Sequence, residues 1–457
     1  DADITVDVAT LRRLRDSLTA RHAPTVAAPR PRFRLDGRPW PVRAFYDVFQ
    51  ALPYARDGLV GLGVAAELMR DGWQVTVLEQ GPADGVGTSH GNAGMLVPSH
   101  FVPLATMGFL KTGLRMMLKR GAPVTVRWRP DADLLGWVTR FTLSSLAGDE
   151  RGRTQALLRL SLASRDQWER WADDFPNLAR PGGAGLMMIA RTAHGLEEEA
   201  EVGHQGARLG LDVEILDAEG VRRRQPGLDV NCEGGVWFGN DAHVAPHEWV
   251  QAMRAALGSN LVSNTKVEGW QLSGDRWTGV KTNHGAMSAD HVVLASGFES
   301  ARLARSMGVN LAIQPGRGYG YTLPGGARLT TPSLLVEDRV SLTPMGETLR
   351  VTSGMEIGAT HQPPDPARVA HIRAGAERVF PGLASADWDQ PLWTGWRPLS
   401  ADGLPYIGRV PNLGNAWVAT GHGMMGISLA AGTGRILADL MGGHCPDVDP
   451  EPFRLDR

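Results

Sequence analysis

Cysteine is nearly absent: Cys232 and Cys445 are the only two in 457 residues. That excludes a disulfide framework, a four-cysteine zinc site and a cysteine-ligated iron-sulfur cluster, and it fits a reducing compartment. No run of about 18 uncharged apolar residues occurs, so no membrane-spanning helix is expected. The Arg-rich beginning also lacks the apolar stretch of a secretory signal, and the expected location is the cytoplasm. Neither sign of charge dominates: 47 Lys and Arg stand against 49 Asp and Glu, a net charge of -2. A nucleic-acid binder or polyanion carrier is therefore not expected. No repeat period is visible either.

Glycine is plentiful, at 56 residues, and it falls in clusters, as tight backbone approaches require. The length allows roughly two to four domains and a core large enough to enclose a cofactor. Residues 1–45 read differently from the rest. Leu11, Leu14 and Leu18 lie among Arg12, Arg13, Arg15 and Arg21 in one short amphipathic pattern. Pro24, Pro29, Pro31, Pro39 and Pro41 then interrupt helix and central strand alike. A poorly ordered N-terminal extension is expected there.

From Gly58 the pattern is that of a dinucleotide site. Leu62, Ala65, Ala66 and Met69 form an apolar helical stripe, Gly72 suits a C-cap, and Val75, Val77 and Leu78 make a buried strand ending at Glu79. In such a unit a glycine turn lets the backbone approach a pyrophosphate at a helix N-terminus. The acid after the second strand accepts from ribose hydroxyls. The spacing back from Glu79 puts motif glycines at 56, 58 and 61, but position 56 is Arg56, and Pro53 breaks the preceding strand. Read alone, the fragment fits equally a surface helix and strand with no nucleotide.

Three further blocks are present. Thr88-Ser89-His90-Gly91-Asn92-Ala93-Gly94-Met95 follows the acid. The strand Val292-Val293-Leu294-Ala295-Ser296-Gly297 precedes Gln314-Pro315-Gly316-Arg317-Gly318-Tyr319. Trp393-Thr394-Gly395-Trp396-Arg397-Pro398 leads on to Ala419-Thr420-Gly421-His422-Gly423-Met424. In this order the chain, from about Gly58 to about Gly443, resembles the FAD-dependent D-amino-acid dehydrogenases, relatives of D-amino-acid oxidase and glycine oxidase.

The resemblance implies an α/β protein: a Rossmann-like FAD-binding domain (46–135, 241–310 and 391–445) with a doubly inserted α+β substrate domain (136–240 and 311–390) of mixed or antiparallel sheet. It implies that Gly58 and Gly61 approach the FAD pyrophosphate and that Glu79 holds the ribose. Thr88, Ser89, Asn92, Ala93 and Gly94 would pass the isoalloxazine, and Gly297 would close the adenosine side. Gly421, His422, Gly423 and Met424 would open a helix toward the pyrimidine edge of the flavin, where a positive helix end stabilises the reduced anion.

Arg397 is the residue the resemblance assigns to the substrate carboxylate, and its planar fork of donors matches that group. His90 suits a flavin link, a substrate contact or a plain loop position. Tyr319 and Tyr321 suit either a cavity wall or strand packing. The implied reaction is oxidative deamination of a D-amino acid. Hydride leaves Cα for flavin N5, and water hydrolyses the imino acid to a 2-oxo acid and ammonia.

The implied acceptor is a quinone or the respiratory chain rather than oxygen. Lys111, Arg115 and Lys119, spaced by four between Ala105 and Arg120, fit a peripheral contact with anionic lipid on the cytoplasmic face of the membrane, or an ordinary surface helix. Other readings are a D-proline or hydroxy-D-proline dehydrogenase and a glycine or sarcosine-type oxidase. Outside enzymes, Arg56 and Pro53 fit a pseudoenzyme with impaired FAD binding. No metal site is expected: Pro246, between His243 and His247, suits a helix start better than a ligand pair.

Overall fold

The computed structural model describes residues 58–82, 89–109, 124–129, 131–175, 178–325, 329–359 and 362–457. The extension 1–45, the interrupted strand with Pro53 and Arg56, Thr88, and the cationic row Lys111, Arg115 and Lys119 lie outside the described residues. The elements that position the site are, along the chain, α1 (Leu59–Arg70), β1 (Val77–Leu78), α2 (Glu150–Asp174), β2 (Leu261–Val262), β3 (Val292–Leu294), β4 (Ile313–Pro324), β5 (Thr348–Ile357), α3 (Pro366–Val379), β6 (Trp393–Ser400), β7 (Ala416–Thr420) and α4 (Gly426–Met441).

Helix α1 forms where expected, with Gly58 at its N-cap and basic Arg70 in its last turn. The parallel strands occur as two pieces among the described residues. β1 pairs with β2, and β3 pairs with β7. The end of β3 meets the α1 N-terminus, where a Cβ at Gly58 would lie 3.3 Å from the Ala295 carbonyl oxygen, as an α/β nucleotide fold requires.

The helical layer is packed through glycine. A Cβ at Gly63 of α1 would sit 2.8 Å from the Ala430 carbonyl oxygen of α4, and one at Gly434 would sit 2.5 Å from the Gly63 carbonyl oxygen. α2 closes over the same pair: Trp171 Nε1 and Gln167 Nε2 donate to buried Glu67 of α1 at 2.5 and 2.7 Å. Arg435 of α4 reaches the same carboxylate at 2.8 Å. A carboxylate at 0% exposure is tolerable only with such a full set of donors.

The second layer is a nine-stranded mixed sheet. β6 lies at one edge, followed by β4, β5, Val340–Met345, Ser333–Leu335, Leu186–Ala190, Gly234–Phe238 and Val213–Asp217, and Val124–Val126 pairs with β5. One face packs on α3 and a core that holds Tyr319, Leu323, Val351 and Ile372.

Two segments group differently from the sequence expectation. β6, placed there with the FAD-binding segments, is hydrogen-bonded along its whole length to β4 in the large sheet. α2, placed with the substrate segments, buries Trp168 and Trp171 in the same core as α1 and α4. Periodicity fixes which face of an element is apolar, not which neighbour covers it.

Candidate functional site

A cleft of about 700 Å³ opens where the N-terminus of α1, the ends of β3 and β7 and the edge strand β6 converge. Gly58, Leu59 and Val60 form one wall, Ser89 and Asn92 a second, and Ser296 to Phe298 a third. Arg397 with its neighbours Trp396 and Pro398 lines the cleft as well, as do Thr420, His422 and Gly423.

Local hydrogen bonds hold these walls together. Leu59 N–H donates to Ser89 Oγ at 3.1 Å, which ties the glycine-rich loop to the first turn of α1. Thr420 Oγ1 donates to the Gly297 carbonyl at 2.7 Å and joins the ends of the two parallel strands. Gly297 (φ +57) and Gly423 (φ +56) hold left-handed turns at the rim, a conformation strained for other residues.

Of the residues expected from sequence, Gly58, Ser89, Asn92, Gly297, Arg397, His422 and Gly423 line this one cleft. Gly421 and Met424 line a second cleft of about 510 Å³ on the other side of the same turn, with His100 and Leu104. Gly61 is buried within α1. Glu79 is buried at the end of β1, where one carboxylate oxygen accepts from Gly81 N–H at 2.8 Å. Gly94 (φ +72) donates its N–H to Asn92 Oδ1 at 2.8 Å, and its carbonyl accepts from Val244 N–H, so it shapes the loop. Ala93 packs beside it against the cluster around Met95 and Val97.

Tyr319, expected from the sequence at the substrate site, does not line the cleft. Its side chain is fully buried, and its hydroxyl donates to Glu356 Oε2, a carboxylate also held by Arg317 at 2.6 Å. Along β4, neighbouring residues face opposite sides of the sheet. Gly318 faces Arg397: a Cβ there would lie 2.5 Å from the guanidinium carbon. Tyr319 therefore faces the α3 side, and Tyr321, which packs edge-on to Trp388, faces the same way. Neither forms the wall of a cavity shared with Arg397.

His90 does not line the cleft. Its carbonyl accepts from Arg350 Nη1 at 3.2 Å, and its ring lies 5.5 Å from that of His247. Burial first, then Arg350, His247 and Arg254, push its pKa down to about 4, so the ring is neutral at ordinary pH.

Arg397 donates from Nη1 to the Gly354 carbonyl at 2.6 Å and has no carboxylate partner among the described residues. Burial lowers its pKa to about 10, which leaves it cationic at neutral pH. His422 is buried, with Nε2 2.9 Å from Thr433 Oγ1, and burial pulls its pKa down to about 3. Positive potential at this wall of the cleft therefore comes from the backbone at the N-terminus of α4 and not from the imidazole.

Ser296 and Thr420 were not picked from the sequence as cleft residues. Their signal was present, since each directly precedes a glycine at the end of a buried strand. Among the described residues there is no cluster of three or more His, Cys, Asp or Glu able to hold a metal, and no helix long and apolar enough to cross a membrane.

The residues fit a dinucleotide. A 12-residue helix opens into the cleft at Gly58, an N-cap that carries no side chain, and Ser296 Oγ and His422 Nδ1 are buried there without a hydrogen-bond partner. Fold and cleft together define an α/β protein with a dinucleotide site. Residues 57–440 match the DAO family, FAD dependent oxidoreductase, and the chain belongs to it; its cofactor is FAD. It is 31% identical over 404 residues to D-amino acid dehydrogenase 2 of Mesorhizobium japonicum, which covers 86% of this chain and 97% of that protein. It is 30% identical over 420 residues to D-amino acid dehydrogenase of Paramagnetospirillum magneticum, covering 88% and 97%. Among solved structures, glycine oxidase from Geobacillus kaustophilus superposes with a TM-score of 0.70 at 21% identity, covering 91% of this chain and 98% of that one.

Proposed function

We propose that this protein is a D-amino-acid dehydrogenase that deaminates its substrate to a 2-oxo acid and ammonia. The observation that carries the reading is Arg397, a half-buried guanidinium lining the FAD cleft with no carboxylate partner among the described residues. The names of the relatives at about 30% identity point the same way.

Bound FAD supplies a two-electron acceptor that takes hydride from the substrate Cα. Arg397 grips the carboxylate through parallel N–H donors and so fixes which face of Cα is presented. Gly318 and Gly395, paired across β4 and β6, leave the space in which that guanidinium and carboxylate meet. The first turn of α1 from Gly58 holds the pyrophosphate through backbone N–H groups, and Glu79 takes the ribose. The N-terminal end of α4 offsets negative charge on the pyrimidine edge, while neutral His422 offers Nδ1 as a hydrogen-bonding group. No side chain is required to take a proton from an amine that binds neutral. Orientation then accounts for most of what the protein contributes. Electrons pass onward to an acceptor other than oxygen.

The FAD-loaded protein, given an artificial electron acceptor, should form equal amounts of 2-oxo acid and ammonia from D-amino acids and none from the L-enantiomers. Turnover of L-amino acids alone contradicts the reading, and peroxide as the main reduced product contradicts the dehydrogenase part of it.

A further inference from the structure

The face of the large sheet that carries Arg397 has a floor of glycine. Gly316, Gly318 and Gly320 alternate along β4 on that side, and Gly395 of β6 pairs with Gly318. The register between β4 and β5 slips between Arg317 and Tyr319, so Gly354 and Met355 together oppose Gly318. The slip turns Glu356 to the α3 side with Arg317. It puts Thr352 and Arg350, paired with Gly320 and Thr322, on the Arg397 side. The contact that a Cβ at Gly320 would make with Thr352 Cγ2, 2.9 Å, fits this assignment.

Arg350 is thus a second arginine on the glycine-floored face. It is 4% exposed and makes one hydrogen bond, to the His90 carbonyl, with no ion pair among the described residues. Its Nε has no partner, and neither has Oγ1 of Thr343, its cross-strand neighbour. Around His90, whose carbonyl it holds, the other charged or titratable groups are His247 and Arg254; the carboxylate of Glu248, half exposed, lies 3.9 Å from His247. A buried cation without a counter-charge is costly and calls for an anion. Both arginines stand on one face: Arg397 pairs with Gly316 and its guanidinium reaches over Gly318, so Gly320, Thr352 and Trp393 lie between that guanidinium and the Arg350 position along the strands. The four steps along the strand from Gly318 to Thr322 span roughly 13 Å, a length that the Arg350 side chain and a short dicarboxylate fill together.

We propose that Arg350 is a second anion-binding residue of the substrate site, which receives the side-chain carboxylate of an acidic D-amino acid while Arg397 holds the α-carboxylate. The inference rests on the D-amino-acid reading above and specifies its substrate class as a D-amino dicarboxylate.

The test is calorimetric titration of the FAD-loaded protein with glutarate and with butyrate, which share a chain and differ by one carboxylate. Glutarate is expected to bind at least about 10-fold more tightly, the effect of one charge-assisted pair, and Arg350→Met is expected to abolish that advantage. Equal binding of the two acids by the unmodified protein would mean that Arg350 only anchors the His90 loop, and it overturns the inference whatever the variant does. A glutarate advantage that survives in Arg350→Met overturns it as well. Glutarate preference without turnover of any D-amino acid would defeat the deaminase reading and leave the second anion site standing; binding of neither acid contradicts both.

Discussion

Arg397 and Gly318 act as one unit. The guanidinium occupies the volume in which any side chain at position 318 would begin, since a Cβ there would lie 2.5 Å from its carbon. Gly318→Ala must therefore displace the half-buried Arg397 guanidinium, whose pKa burial lowers to about 10. The expected outcome is a rise in KM for D-amino acids of roughly 10-fold or more, on the scale of one weakened charge-assisted hydrogen bond. FAD content should be retained, because the first turn of α1 is untouched. Steady-state kinetics with flavin quantitation checks both.

His422 carries a pH prediction. Its pKa is about 3 when folded against 6.5 for the free group. The unfolded chain therefore binds its proton first, and the stability this residue contributes is present above pH 6.5 and lost as pH falls from there toward 3. His422→Gln removes that term. Between about pH 6.5 and about pH 5 the variant should lose roughly 2 kcal/mol less stability than the unmodified protein. Denaturant melts at the two pH values measure the difference, and an unchanged acid slope would show that His422 is not neutral in the fold.

At the scale of elements, the three-helix layer behind the cleft depends on backbone approaching backbone. Gly434→Ala would place a methyl 2.5 Å from a carbonyl oxygen of the facing helix, where neither partner is a flexible side-chain end. It should cost about 1–3 kcal/mol and lower Tm. Gly136, inside the helix Ala132–Leu146, has open space around its Cβ position. Gly136→Ala should raise Tm, since alanine favours helix by about 1 kcal/mol. Calorimetry on the pair separates close packing from simple helix propensity.

The same scale explains what could be read in the sequence. The helix from Leu59 and the strand through Val77 were legible because their apolar periods are local and clean. Tyr319 was not: Gly316, Gly318 and Gly320 alternate with Arg317, Tyr319 and Tyr321, so a period of two was visible, but which face meets the cofactor depends on partner strands distant in sequence. Arg350 carried no motif, and only the slipped register of β4 and β5 brings it to the face of Arg397.

For the whole molecule, the cleft is assembled from the start of α1, the loop at Ser89, the end of β3, the edge strand β6 and the turn after β7. Short motifs marked each piece because each is a glycine-bearing turn with its own backbone demand. The grouping of the pieces was less legible. β6 joins the large sheet and α2 joins the helical layer, and both choices follow from contacts with elements more than 70 residues away in sequence.

The proposed reaction requires a D-amino acid held on Arg397 to deliver electrons to FAD in this cleft. Anaerobic mixing of the FAD-loaded protein with a D-amino acid, followed by flavin absorbance, tests it most directly. Bleaching by the D- and not the L-enantiomer is expected. Arg397→Lys, with its flavin retained, is expected to need roughly 10- to 100-fold more substrate for half-maximal bleaching, because the charge stays and the two-pronged fork is lost. Bleaching of the Arg397→Lys protein at unchanged substrate concentration would contradict the proposed reaction.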